Sequence, residues 1–179
     1  MIVIMSNMYS FLFENGRSTP MPRGKHVFHT GDTIQNMYLL ENGKIDLVRH
    51  AESGVRVILH RVLVGNVLAE ASAYSKRYHC DGVAQSYSAV RSIPRRVFCE
   101  RLEKNPSLSK AWSASLAHAL QQSRMSAELR TLRTVAARLD AWISVDRPLP
   151  PKGEWQDLAE TLGVSREALY RELAKRRQV

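Results

Sequence analysis

Between Gly24 and Phe98 apolar residues alternate with polar ones in short runs, whereas beyond residue 107 they recur every three or four positions. A period of two predicts strands and a period near 3.6 predicts helices. In Lys44-Ile45-Asp46-Leu47-Val48-Arg49, Ile45 and Leu47 fall on one strand face; in Val55-Arg56-Val57-Ile58-Leu59, Val55, Val57 and Leu59 do. Gly31, Gly43, Gly54 and Gly65 lie 12, 11 and 11 residues apart, the turn spacing of an antiparallel β-roll or jelly roll. Glu41-Asn42-Gly43-Lys44 predicts a hairpin turn, because Asn-Gly accepts the positive backbone angles that tight turns need.

The helical half opens at Pro106-Ser107, with Ser107 as the expected N-cap, and contains no Gly or Pro up to Arg147. Leu108, Trp112, Leu116 and Leu120 form an early apolar stripe, and Met125, Leu129, Leu132, Ala136, Leu139 and Ile143 form a second. One helix over this span would be about 60 Å long, more than a domain of this size usually holds, so a break is expected at Thr131 to Thr134. Pro148, Pro150 and Pro151 stop the helix. A short helix from Trp155 to Leu162, a turn at Gly163 and a second helix from Arg166 to about Arg177, capped by Ser165 and carrying Glu167 in its first turn, complete the chain. The expected class is α+β, divided into a sensor domain at 1–106, a dimerisation helix at 107–132 and a helix-turn-helix domain at 133–179.

Composition narrows the function classes. The 179 residues are 44% hydrophobic, enough for one ordinary domain or two small ones, and the formal net charge of +9 favours a polyanionic partner. That excess is spread: residues 1–123 carry 15 basic and 9 acidic side chains, and 124–179 carry 11 and 8. Cys80 and Cys99 cannot build a disulfide framework or a four-cysteine zinc site in one chain. The start, Met1 to Phe13, has no Lys or Arg ahead of its apolar patches, and no run approaches the roughly 20 apolar residues of a membrane helix. A cytoplasmic protein without a membrane partner is expected.

The second helix of the C-terminal pair carries the chemistry. Glu167, Tyr170, Arg171 and Ala174 line one side, Leu169 and Leu173 another, and Arg166 stands at the leading edge. Arg can donate two hydrogen bonds to guanine and Glu can accept from cytosine, so such a face suits the major groove. Ser165-Arg166-Glu167-Ala168-Leu169-Tyr170-Arg171 resembles the recognition helix of the Crp/Fnr family of bacterial transcription regulators. Gly31-Asp32 before Met37-Tyr38-Leu39-Leu40, then Asn42 to Leu47, is similar to the family's sensor domain. Gly65 to Ala69-Glu70 resembles its ligand cradle, and Ile93-Pro94 with Phe98 and Leu102 resembles the following strand and helix. The resemblance implies a cyclic-nucleotide-binding-like β-roll, a long dimerisation helix with Trp112, Leu116 and Leu120 at its seam, and a helix-turn-helix reader. It implies base contacts by Arg166, Glu167 and Arg171 on a palindromic duplex with TGTGA-like half-sites, and a phosphate contact by Ser165. Tyr170, Lys175, Arg176 and Arg177 are expected at the DNA backbone or flanks, with RNA polymerase as a further partner. The candidate effector cradle is Gly65, Glu70, Ser72, Ser75 and Arg77.

Departures from the family shape these expectations. Cyclic-AMP-binding members hold the cyclic phosphate with an Arg-Ser or Arg-Thr pair ten residues after the cradle glutamate; here that place is Cys80-Asp81, and an acid repels phosphate. The effector is therefore expected to be something other than cyclic AMP. The oxygen-sensing members' cysteine cluster is missing, Glu172 stands where helix-turn-helix modules are usually apolar, and the family's β-hairpin wing is not expected after the recognition helix. No metal is expected: His26 and His29, three apart, should point to opposite strand faces, as should the neighbours His79 and Cys80. Isolated cysteines serve more often as small buried side chains than as redox sensors. No spacing of Ser, His and Asp argues for a catalytic group, so no enzyme is expected. The leading reading is a homodimeric DNA-binding regulator; the alternatives are a ligand-binding or protein-interaction module with a degenerate reader, and an enzymatic jelly roll.

Overall fold

The computed structural model describes residues 9–52, 56–144, 149–151, 153 and 155–176; Gly54, Val55, Pro148 and Arg177, named above, lie outside them. The chain forms two compact units, residues 1–116 and 117–179.

Strands β1 (Arg17–Met21), β2 (His26–Phe28), β3 (Asn36–Asn42), β4 (Ile45–His50), β5 (Arg56–Val62), β6 (Val67–Leu68), β7 (Asp81–Ala84) and β8 (Ser88–Pro94) belong to the first unit. They build two antiparallel four-stranded sheets, ordered β1-β8-β3-β6 and β2-β7-β4-β5. A 3-10 turn spans Glu70–Tyr74. The helices are α1 (Arg95–Lys104), α2 (Pro106–Thr131), α3 (Val135–Ile143), α4 (Trp155–Leu162) and α5 (Arg166–Arg176). Antiparallel sheets followed by helices make the α+β class.

Asn42-Gly43 turns the chain but does not close a hairpin. β3 pairs with β6 and β8, and β4 with β5 and β7, so the turn carries the chain from one sheet to the other. Gly43 has φ +87°, and a Cβ there would stand 2.6 Å from the Tyr87 carbonyl oxygen. The crossing is therefore tight as well as left-handed, which only glycine tolerates. Ser88 fastens it, its Oγ accepting from the Lys44 amide at 3.1 Å.

Strand alternation fails in two places. Ile45 and Leu47 are buried as expected, but so are Asp46 and Val48. Asp46 is only 1% exposed and pairs with Arg61 at 3.0 Å and Arg56 at 3.4 Å from the neighbouring strand. On β5 the expected inward residues Val57 and Leu59 are 44% and 43% exposed. β5 is the edge strand of its sheet, and its register against β4 shifts between Leu47 and Val48, so only Val62 at its end is buried.

The first core gathers both sheets, a helical turn at residues 9–12, α1 and the start of α2. Phe98 meets Phe13 at 5.7 Å and Trp112 edge-on at 5.1 Å, and Tyr9 meets Trp112 edge-on at 6.0 Å. Trp112, 1% exposed, is thus a core residue of its own chain and not a seam residue. Leu116 packs partly against the same core, while Leu120 is 51% exposed. α2 starts two residues earlier than expected: Asn105, not Ser107, is the cap, its Oδ1 accepting from the Leu108 amide at 3.1 Å with Pro106 in the first helical position.

In the second unit α2 ends at Thr131, and Thr134 caps α3 by accepting from the Ala137 amide at 3.1 Å. Leu129, Leu139, Trp155, Leu158, Ala159, Leu162, Leu169 and Leu173 form its core. Arg138 is half-buried beside them and donates to the carbonyls of Leu132 (2.8 Å), Leu162 (2.9 Å), Gly163 (2.9 Å) and Arg130 (3.1 Å). These belong to the ends of α2 and α4, where helical carbonyls lack partners of their own. Hydrogen bonds to charged groups contribute a net of roughly 1.5–3 kcal/mol each, and are not additive when one side chain makes several. Arg138→Ala should therefore destabilise this unit by about 2–4 kcal/mol. Hydrogen exchange would show it as faster exchange, by at least about thirtyfold, of the α4 and α5 amides with the sheet amides unchanged, and Arg138→Lys should recover little of the loss, because one ammonium cannot span four carbonyls.

Candidate nucleic-acid interface and sensor cradle

Gly163 ends α4 with φ +64°, and the Val164 amide reaches back to the Ala159 carbonyl at 2.9 Å, closing the last turn. Ser165 then caps α5, its Oγ accepting from the Ala168 amide at 3.1 Å. Leu169 and Leu173 are buried against α4 and its neighbours, which leaves Arg166, Glu167, Arg171 and Lys175 exposed. The three expected base readers therefore share the outward side of α5.

Their electrostatics differ. The Glu167 carboxylate is held below the usual carboxylate range, first by its own backbone amide and then by the Ser165 hydroxyl, with Arg166 and Arg171 adding to the effect against slight desolvation. It stays an acceptor. Ser165 is correspondingly engaged within α5, its oxygen on the cap and its hydroxyl on Glu167. Among the described residues no hydrogen bond or ion pair holds the Arg171 guanidinium, whereas Arg166 lies over the Tyr170 ring, 5.1 Å from its centroid.

Two of the expected flanking residues have other work. Arg176 donates to Asp140 at 2.7 Å, Glu172 at 3.0 Å and the Ala136 carbonyl at 3.2 Å, so it acts as a structural clamp that ties α5 to α3. The polar Glu172 in a usually apolar place is explained by the same clamp. Tyr170 is half-buried, edge-on to Trp155 at 4.8 Å. Lys175 is exposed, and Arg177 lies outside the described residues.

In the first unit the cradle segment starts at Gly65, whose amide donates to the Leu40 carbonyl at 2.8 Å. Ala69, with φ +48°, bends the chain into the 3-10 turn that carries Glu70 and Ser72. The Ser72 Oγ is buried without a hydrogen-bond partner among the described residues, and Ser75 is exposed at the end of the turn. Arg77 donates to the Gly31 carbonyl at 2.6 Å. Asp81, in the place of the phosphate-binding pair, accepts from the Thr30 amide at 2.6 Å and the Thr30 hydroxyl at 2.9 Å, and faces His50 at 3.5 Å. Burial works to raise its pKa, but the two Thr30 hydrogen bonds and the neighbouring His26 and His29 outweigh it, and the carboxyl sits below its ordinary value. The position is anionic and already satisfied by donors.

His26 and His29 are not on opposite sides. Their rings stack 4.3 Å apart, because β2 ends at Phe28 and its register shifts between His26 and Phe28, so strand alternation does not extend to His29. Among the described residues no group of three or more His, Cys, Asp or Glu side chains is arranged to hold a metal ion. Cys80 is fully buried and Cys99 half-buried, and burial pushes both thiols up, away from the reactive thiolate. No helix among the described residues is long and apolar enough to cross a membrane.

Sequence reasoning missed Arg138 and Thr30. Arg138 binds carbonyls, which carry no residue-type signature, and Thr30 lies 51 residues from the acid it serves.

Two antiparallel four-stranded sheets with a short 3-10 turn, then a long helix and a compact helical unit, define a β-roll followed by a helical module. Residues 19–105 match the cyclic nucleotide-binding domain family. The resemblance to Crp/Fnr-type transcription regulators holds in sequence and in structure. The chain is 26% identical, over 87% of its length and 77% of the relative's, to the global nitrogen regulator of Synechococcus elongatus. Its fold is similar to that of the c-di-GMP responsive global regulator CLP of Xanthomonas campestris (TM-score 0.65, 17% identity, 97% of this chain and 92% of that one). It is also similar to FixK2 of Bradyrhizobium japonicum (TM-score 0.66, 18% identity, 89% and 83%).

The Asp81 site yields a stability test. A carboxyl whose pKa is depressed in the folded state stabilises the fold above its unfolded pKa and loses that contribution as pH falls through the folded value. Asp81→Asn should therefore lower Tm by about 5 °C at pH 7, and the gap to wild type should close below about pH 4. A gap that persists unchanged in thermal scans at pH 3 would mean that the charge is not what Thr30 stabilises.

Proposed function

We propose that this protein is a sequence-specific, DNA-binding transcription regulator that acts as a homodimer and performs no catalysis. The observation that carries the reading is the outward side of α5, where Arg166, Glu167 and Arg171 stand exposed while Leu169 and Leu173 anchor the helix from behind. Among the described residues nothing holds the Arg171 guanidinium, which leaves its donors for a guanine edge, and Glu167 is a charged acceptor suited to cytosine N4. Exposed Lys175 suits phosphate attraction.

Dimerisation through α2 is supported by its burial pattern: from Ser113 to Glu128 no residue is buried, and apolar Leu120 is among the exposed ones. A twofold dimer would set two reading helices about 34 Å apart and select a palindromic duplex. For the sensor, Asp81 argues against a cyclic nucleotide phosphate at that position, so the effector belongs to another chemical class.

Arg171→Ala should weaken binding to a duplex selected from a random pool by about 10–100-fold, and binding to scrambled duplex far less. Equal losses on both duplexes would remove Arg171 from base reading. Cyclic AMP at millimolar concentration should leave Tm of the first unit within about 1 °C, since a ligand stabilises a fold only as far as it binds it. A shift of several degrees would overturn the assignment made from Asp81.

A further inference from the structure

Arg166 and Arg171 are both proposed base readers, yet among the described residues only Arg166 is held. Its Nη2 donates to the Tyr170 hydroxyl at 3.3 Å, and its guanidinium lies over the Tyr170 ring, 5.1 Å from the centroid. Tyr170 is itself fixed from behind, edge-on to Trp155 at 4.8 Å and 69°. Trp155 is buried, and its Nε1 donates to the Pro150 carbonyl at 2.8 Å. A continuous support therefore runs from the loop before α4, through two aromatic rings, to one exposed guanidinium on α5.

Resting on the DNA-reading role above, we propose that Tyr170 is a positioning residue that sets how strictly Arg166 discriminates its base pair. Residues four apart on a helix meet on its surface, which is why Tyr170 can receive Arg166. A long arginine side chain loses considerable rotamer freedom when it is immobilised on binding. Arg166 has given up much of that freedom before DNA arrives. One N–H goes to the Tyr170 hydroxyl, and the guanidinium has five, so enough remain for a bidentate pair with guanine. The ring also limits the directions from which a base can be approached, because the stacked face of the guanidinium is covered. Arg171 lacks such support among the described residues, so the two arginines discriminate by different means: Arg166 by a preset direction, Arg171 by adapting to the groove.

The test uses the full chain and the duplex that it selects from a random pool. Arg166→Ala first identifies the base pair that Arg166 reads, as the position where discrimination is lost. The measured quantity is the ratio of affinities for the selected duplex and for the duplex changed at that position. Tyr170→Ala should lower this ratio about fivefold, the effect of an exposed cation–π contact and its hydrogen bond. Tyr170→Phe, which keeps the ring and its packing on Trp155, should lower it by about twofold or less. In the Arg166→Ala background Tyr170→Ala should have no further effect on the ratio. A Tyr170→Ala ratio equal to wild type would overturn the proposal while leaving the reader role intact. So would a loss spread evenly over all base pairs with the ratio at the Arg166 position unchanged, which is what loosened packing alone produces. If the wild-type chain selects no duplex, or Arg166→Ala releases no base pair, the reader role fails and the positioning role falls with it.

Discussion

A helix that stops leaves carbonyls without donors, and in the second unit two helices stop within reach of one side chain. Arg138 takes the carbonyls of Arg130 and Leu132 from the end of α2 and those of Leu162 and Gly163 from the end of α4. Only a guanidinium, with its donors in a rigid planar fork, can serve so many acceptors at once. The turn between α4 and α5 is thereby fixed to the start of the helical unit. The Arg130 side chain also lies against Gly163, where a Cβ would come within 2.9 Å of its Cγ. Arg176 repeats the device on the other side, holding α5 to Asp140 and Ala136 of α3. What α5 presents outward depends on these two arginines.

The basic charge of the chain thus divides by task. Arg138, Arg176, Arg56 and Arg61 are spent inside the fold, the last two on buried Asp46, where an unpaired charge would be costly. Arg171 and Lys175 remain outward on α5. A net charge of +9 is no measure of how much charge a polyanion can meet, because structural arginines count toward it equally.

The first unit shows the same pattern with opposite sign. The 3-10 turn carries Glu70, and Asp81, next to Cys80, is an acid that Thr30 and three nearby histidines already satisfy. The buried Ser72 hydroxyl in the same 3-10 turn has no hydrogen-bond partner among the described residues.

Periodicity alone located the sheets, the long helix, its interruption before Thr134 and the helix pair about Gly163, because these follow from local backbone preference and from burying one face of each element. The outward Arg166, Glu167 and Arg171 were legible for the same reason: once Leu169 and Leu173 point inward, the rest of a helix must point out. Tertiary structure decided what spacing cannot carry. Asn42-Gly43 looked like a hairpin until strand pairing put β3 and β4 in different sheets, and Trp112 looked like a seam until Phe98 and Tyr9 enclosed it. His26 and His29 meet because a strand ends between them, and Arg176 is a clamp because α3 brings Asp140 to it. In each case the deciding partner is set by how whole elements pack, and a residue's own neighbours in the chain hold no record of that.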